Sequence, residues 1–234
     1  MLACGVRERV RTDDGSWTLE SERYGETFRS RRGAVREARH VFVEGSGVAA
    51  RLAARQTTTV LEIGLGTAVN LVLSASTALR HEVPLRYVAI EHEPLCAEAF
   101  EAVELEHVGD AAFVAAFLAW RRMWSDAGPD ASLRHGAVQV DVLVADAASA
   151  PLPGAADALY LDGFSPRVNP ELWTDEAVRR YAVALAPGGT LATYSVSGHV
   201  RRALAACGLA VERLPGPPGG KREMLRATRA PCAP

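Results

Sequence analysis

The chain has 234 residues, 48% of them hydrophobic and 23% charged. This ordinary globular composition excludes disordered, collagen-like and coiled-coil classes. No apolar run reaches the ~20 residues of a membrane helix, and the N-terminal MLACGVRERVRTDDG lacks the shape of a signal peptide, so no membrane association and a cytoplasmic location are expected. The net charge of −2 is unevenly spread, at +3 over residues 1–58, −10 over 59–196 and +5 over 197–234; the two basic ends make one patch only if the fold joins them.

Residues 1–58 read as an N-terminal extension packed on a core formed by 59–234. Residues 59–64 (TVLEIG) are a short β-rich run, followed by Gly64, Gly66 and the helical TAVNLVLSASTAL. A second strand is predicted over 85–91, and a helix over PLCAEAFEAVELEHV, with Pro94 in its first turn. A further helix is expected over 110–124, stopped by Gly128 and Pro129. Residues 137–145 alternate as a strand. Residues 157–161 (DALYL) form a buried strand run leading into DGFSPRVNP. A helix over 174–186, a strand over 190–196 and a helix over 198–207, with Gly208 at its C-terminal end, come next. Residues 209–214 and 222–228 are expected to pair as antiparallel strands around PGPPGGK. Strand–helix alternation of this kind predicts a doubly wound, mainly parallel α/β sheet. Cys4, Cys96, Cys207 and Cys232 lie far apart, with no CxxC and no clustered histidines. No metal site and no disulfide are therefore expected.

The segment Glu62-Ile-Gly64-Leu-Gly66-Thr-Ala68 joins a strand to a helix, where an open α/β sheet binds its ligand. Gly64 and Gly66 admit close backbone approach. Val69 replaces the last glycine or alanine of the dinucleotide fingerprint, so NAD fits poorly. Glu62, two residues before Gly64, suits a ligand with a cationic amino-acid end, as in S-adenosylmethionine. Glu91 ends the second strand, where a carboxylate can accept from both hydroxyls of a ribose. Asp146 follows the third strand run and can accept from an adenine amino group. The second motif is Asp162-Gly-Phe164-Ser-Pro166, then Asn169-Pro-Glu-Leu-Trp173. It places the Asp162 carboxylate beside the transferable group, with Phe164 able to stack on a planar substrate.

The segments LEIGLGTAVN, AIEHEPL, LYLDGFSPRVNPELWT, GGTLATYSVSGHVRRAL and GGKREML, in that order, resemble the methyltransferase domain of the MnmC family. Those bifunctional enzymes complete 5-methylaminomethyl-uridine at the tRNA wobble position. The stretch TFRSRRGAVREARHVFVEGSGVAARL resembles that domain's lead-in, and the likeness covers roughly residues 20–228. The resemblance implies a Rossmann-like methyltransferase fold, S-adenosyl-L-methionine as donor and tRNA as partner. It assigns Glu62, Gly64, Gly66, Asn70, Glu91 and Asp146 to the cofactor and Asp162 to the reaction centre, and puts Phe164, Pro166 and Asn169 on the substrate side. Arg201, with Lys221 in the terminal loop, would contact RNA phosphates if these elements join the Arg-rich N-terminal segment. Ala68 stands at the third glycine of the cofactor loop, a position expected to govern packing and so to tolerate alanine. No second nucleotide fingerprint occurs, so the family's FAD-dependent domain is not expected in this chain. Two alternatives remain: a methyltransferase of the same fold acting on a small amine, and a catalytically silent member that binds tRNA or protein.

Overall fold

A computed structural model describes residues 5–124 and 130–232. Its centre is an eight-stranded sheet in the order β5-β6-β4-β3-β7-β8-β10-β9. The strands are β3 (Thr58–Ile63), β4 (Leu85–Glu91), β5 (Asp130–His135), β6 (Val138–Val144), β7 (Ala156–Leu161), β8 (Leu185–Thr193), β9 (Ala210–Pro215) and β10 (Glu223–Thr228). Strands β6, β4, β3, β7 and β8 are parallel neighbours, β5 is antiparallel at one edge, and β10 runs antiparallel between β8 and β9. After β3 the chain moves outward through β4 to β6, then returns to β7 on the opposite side. The topological switch point therefore lies between β3 and β7, where a doubly wound sheet opens a crevice at its carboxyl edge.

The strands alternate in the way a sheet covered on both faces requires. In β3 and β7, Val60, Ala158 and Tyr160 pack with Phe42, Leu52, Val72 and Phe113 on one face. Leu61, Ile63, Leu159 and Leu161 pack with Trp173, Tyr181 and Leu204 on the other. The same alternation turns the Glu62 carboxylate into the first face, beside Tyr87 and Tyr160. Helix α3 (Val69–His81), buried along most of its length, and α5 (Ala111–Met123) cover the first face. Helices α6 (Asp175–Ala184) and α7 (Gly198–Ala206) cover the second. Asp110 and Ser197 accept from backbone N–H groups at the starts of α5 and α7, as capping residues do.

Residues before β3 form a hairpin, β1 (Val6–Arg11) with β2 (Trp17–Ser21), then α1 (Ala34–Glu37), a π-helical segment Ala38–Glu44 and α2 (Val48–Ala53). Leu19, Val41 and Phe42 join the main core. This segment also meets the loop between β9 and β10. Arg32 Nη1 donates to Gly219 O at 3.4 Å, and His40 Nε2 lies 2.9 Å from Pro215 O. The two basic ends of the chain thus share a seam.

Several expectations need correction. The helix expected across 94–108 is α4 (Ala97–Ala102) and a 3-10 turn (Leu105–His107), separated by Glu104 at φ 53°. Strand β8 starts at Leu185, not 190, because Gly188 and Gly189 exchange backbone hydrogen bonds with Arg229. Strand β5, to which no element was assigned from the sequence, is organised by its antiparallel partner β6. The Gly128–Pro129 break lies outside the described residues. Cys96 is disulfide-bonded, while Cys207 and Cys232 are free thiols. The expectation of no disulfide is thus overturned at Cys96. Among the described residues no helix is long and apolar enough to cross a membrane, and no cluster of three His, Cys, Asp or Glu side chains is placed for a metal.

Candidate active site

The carboxyl ends of β3 and β7 are tied together, Asp162 N–H donating to Ile63 O at 3.1 Å. Each strand then turns away through a glycine. Gly64 has φ 89°, and a Cβ there would lie 3.1 Å from Asp162 O. Both the left-handed backbone and the close approach require glycine. Gly66 follows at φ 50°, with Phe28 against it. Ala68 also adopts φ 59° at the start of α3 and is fully buried. The third position of the loop therefore combines a left-handed backbone with full burial in the core, and alanine carries the strain there.

Above this loop lies a cavity of about 240 Å³. Gly64, Gly66, Glu91, Asp146, Asp162, Phe164 and Asn169 all border it. Glu91 is held by two backbone donors: Gly66 N–H to Oε2 and Glu93 N–H to Oε1, both 3.0 Å. Asp146 accepts from Ala148 N–H at 2.8 Å through Oδ1 only. Ile90, Leu95, Ala145, Ala147 and Leu172 supply apolar wall.

Glu62 and Asn70 do not border this cavity; they lie beneath it, fully buried. Asn70 Nδ2 donates to Glu62 Oε1 and to Asp162 Oδ2, each at 2.8 Å, and Tyr87 donates to Glu62 Oε2 at 2.8 Å. Asn70 Oδ1 has no partner. Glu62 thus positions Asn70, and its own oxygens are already engaged. The remaining member is Arg29, 2% exposed in its side chain, whose guanidinium contacts Asp162 and lies 3.9 Å from Glu62. Burial lifts the Glu62 carboxyl to about 8 and Asp162 to about 7, with Arg29 opposing both shifts. The contacts from Asn70 and Arg29 fall on Asp162 Oδ2.

A second cavity, of about 420 Å³, lies across a wall made by Phe28, Arg29, Asp162, Gly163 and Phe164. Phe164 stacks on Tyr24, ring centroids 4.3 Å apart, and leans on Phe28 at 5.0 Å. Glu26, Glu37, Tyr194 and Lys221 complete the lining. Glu26 accepts from Ser165 Oγ at 2.8 Å and from Arg167 at 2.7 Å, tying the lead-in segment to the loop after β7. Tyr194 donates to Gly163 O at 2.8 Å.

Two candidate substrate residues, Pro166 and Arg201, border neither cavity. Lys221, an exposed residue, borders the second cavity with its Nζ over the Tyr194 ring. Sequence reasoning missed Arg29, Glu37 and Tyr24. The run FRSRRG reads as a solvated basic stretch, and only the tertiary fold singles out one arginine for burial.

A family model described as S-adenosyl-L-methionine-dependent methyltransferase matches residues 112–230. The bifunctional protein MnmC of tRNA 5-methylaminomethyl-2-thiouridine biosynthesis from Cupriavidus metallidurans is 36% identical over 96% of this chain and 34% of its own length. Its counterpart from Aromatoleum aromaticum is 38% identical over 92% of this chain and 34% of its own length. The chain thus spans about a third of the curated relatives it matches. Among solved structures, MnmC2 from Aquifex aeolicus superposes with a TM-score of 0.78 at 27% identity, covering 97% of this chain and 72% of that one. A spermidine synthase shares the fold at a TM-score of 0.53 and 16% identity, covering 96% of this chain and 74% of that one.

Proposed function

Because the chain belongs to the S-adenosyl-L-methionine-dependent methyltransferase family, we propose that it methylates the aminomethyl nitrogen of 5-aminomethyl-(2-thio)uridine at the wobble position of tRNA. Residues 59–234 would be the transferring unit and 1–58 a lead-in that helps to wall the acceptor side. A tRNA substrate would place the reaction in the cytoplasm. The observation that carries this reading is the pair of cavities meeting at Asp162, one suited to a nucleoside and the other rich in carboxylates.

The residues present fit S-adenosyl-L-methionine. Gly64 and Gly66 border the cavity with backbone alone, and Asn70 Oδ1 is a buried acceptor without a partner among the described residues, suited to a cationic amino-acid end. Glu91 is proposed to take the ribose hydroxyls through its remaining lone pairs, and Asp146 Oδ2 the adenine amino group. Glu62 acts from below, orienting Asn70. When bound, the cofactor supplies an electrophilic methyl on a sulfonium sulfur.

Asp162 has the central part. An alkylammonium has a pKa of roughly 10, and only its neutral form carries a nucleophilic lone pair. A carboxylate at the usual pKa near 4 is a weak base for such a proton. Burial brings Asp162 to about 7, nearer the range in which general bases work. Its Oδ1, away from the Arg29 and Asn70 contacts, is proposed to receive the amine N–H, hold the nitrogen in line and accept the proton. Arg29 and Asn70 fix Oδ2 and so fix the direction of Oδ1. Alignment of this kind can contribute up to ~7–11 kcal/mol. Phe164 and Asn169 would border the base.

The test is nucleoside mass spectrometry of tRNA carrying 5-aminomethyluridine after incubation with the protein and cofactor. One methyl gain at that nucleoside is expected. Methylation of free alkylamines with the tRNA left unchanged would overturn the tRNA assignment and favour a small-amine enzyme.

A further inference from the structure

The acceptor cavity already holds an ammonium group. Lys221 is the only lysine in the chain, and its Nζ lies 3.9 Å from the centroid of the Tyr194 ring. That ring is fixed, since its hydroxyl is bonded to Gly163 O. Three carboxylates from different parts of the fold line the same cavity and act on the ammonium through space: Glu37 from α1, Asp162 from the end of β7 and Glu26 from the lead-in segment, itself bonded to Ser165 and Arg167. Of the other cations lining the cavity, Arg29 is committed to Asp162 and Glu62, and Arg31 is paired with Glu20. An aromatic face in a cavity rich in carboxylates is the chemistry by which proteins hold an alkylammonium.

We propose that this is the seat of the substrate's own ammonium, and that Lys221 occupies it as a placeholder until the substrate displaces it. The inference rests on the reading of the acceptor as a primary alkylamine. Both ions are a CH2–NH3 group of the same charge, so the groups that hold one will hold the other. Displacement needs no strand to move. Lys221 ends the PGPPGGK loop between β9 and β10, and its four-carbon stem carries rotatable bonds enough to swing the ammonium out to solvent. The exchange keeps the charge of the cavity constant, so the carboxylates are not left uncompensated while the site waits. It also makes Glu37, which is otherwise unused, a residue that positions the amine against Asp162. A neutral substituent on the uridine would not displace the lysine, and so would be rejected.

The experiment is calorimetric titration with benzylammonium, 5-aminomethyluridine and, as an uncharged control, 5-methyluridine. The wild type is set beside Lys221→Met and Lys221→Gln, with folding checked by thermal melting. Removing the placeholder should tighten both cations by about fivefold, the scale of a partly desolvated cation–π contact, and leave the control unchanged. Adding Glu37→Gln to Lys221→Met should cancel that gain. Equal or weaker cation binding in both lysine variants would overturn the proposal. If benzylammonium tightens as expected while aminomethyl tRNA is not methylated, the wobble-uridine reading fails and the ammonium seat stands. If the tRNA is methylated but the cations do not tighten, the reverse holds.

Discussion

The buried charges at the end of β7 decide what single substitutions should do. Asp162→Asn keeps a hydrogen-bonding side chain of the same size beside Asn70 and Arg29, but removes the charge and the basic oxygen. We expect cofactor affinity largely retained and turnover on saturating aminomethyl tRNA lowered by about 10²-fold or more, the lower range for loss of a general base. The pH profile separates this from a turn residue. Burial raises Asp162 to about 7, so its active ionised form accumulates as pH rises through that value. Wild-type turnover should climb between pH 6 and 8, and the Asn variant should lose that limb; turnover within a few-fold of wild type would reject the role. Glu91→Ala leaves two backbone N–H groups and a ribose without their acceptor. Cofactor binding should weaken by about 1–3 kcal/mol, and an unchanged dissociation constant in a folded variant would reject the assignment. Asp162 and Glu91 were legible because each ends an apolar strand run. Arg29 and Glu37 were not, because nothing local separates a buried arginine or glutamate from its exposed neighbours.

Elements were legible where the pattern was strong. Strand β4 falls on its expected residues 85–91, and α5 spans 111–123 within the expected 110–124. The hairpin β1–β2 was missed because VRERVR presents charge where a strand signal needs apolar alternation, and its order comes from pairing and from Leu19 in the core. The glycine loop shows the limit of reading motifs as packing. Ala68 was expected to be harmless, yet it sits at φ 59° as the N-cap of α3. A left-handed L-residue costs roughly 1–2 kcal/mol, partly offset by the entropy that glycine loses on folding. Ala68→Gly should therefore stabilise the fold by about 0.5–1 kcal/mol, a rise in melting temperature of about 1–4 °C at this chain length. A lower melting temperature in scanning calorimetry would show that the Ala68 methyl packs usefully enough to outweigh the strain.

For the whole molecule, two electrostatic consequences follow. Glu62 and Asp162 titrate in the folded chain at about 8 and about 7, far above their ordinary 4.5 and 3.8. Between those limits the folded state keeps protons that the unfolded state has lost, so stability falls as pH rises from about 4 to 8. The melting temperature without cofactor should drop between pH 5.5 and 8, and Glu62→Gln should flatten the drop. A melting temperature that rises across this window would contradict the burial of these charges. The second consequence concerns the seam between the chain's basic ends, which composition alone could not establish. Arg32 lies on it and Arg39 is exposed beside it, whereas Arg201 is on α7. Arg32→Ala with Arg39→Ala should weaken tRNA binding and reduce the slope of log affinity against log salt by roughly 1.5, at about 0.7–0.9 per phosphate contact. An unchanged slope would move the RNA footprint elsewhere.

The insertion of β10 between β8 and β9 has a consequence for synthesis on the ribosome. The strand of this sheet that is synthesised last, β10, fills an interior slot, not an edge. Until residue 228 is free, β8 and β9 have no partner between them. A nascent chain therefore presents two unpaired strand edges, the kind of surface that invites misassembly. The loop bearing Lys221 joins those same two strands, so it takes its place only when β10 docks. The order of synthesis thus orders the two sides: the cofactor side, built from β3, β4 and β6, can assemble before the chain reaches residue 228, while the amine side is complete only once β10 has docked.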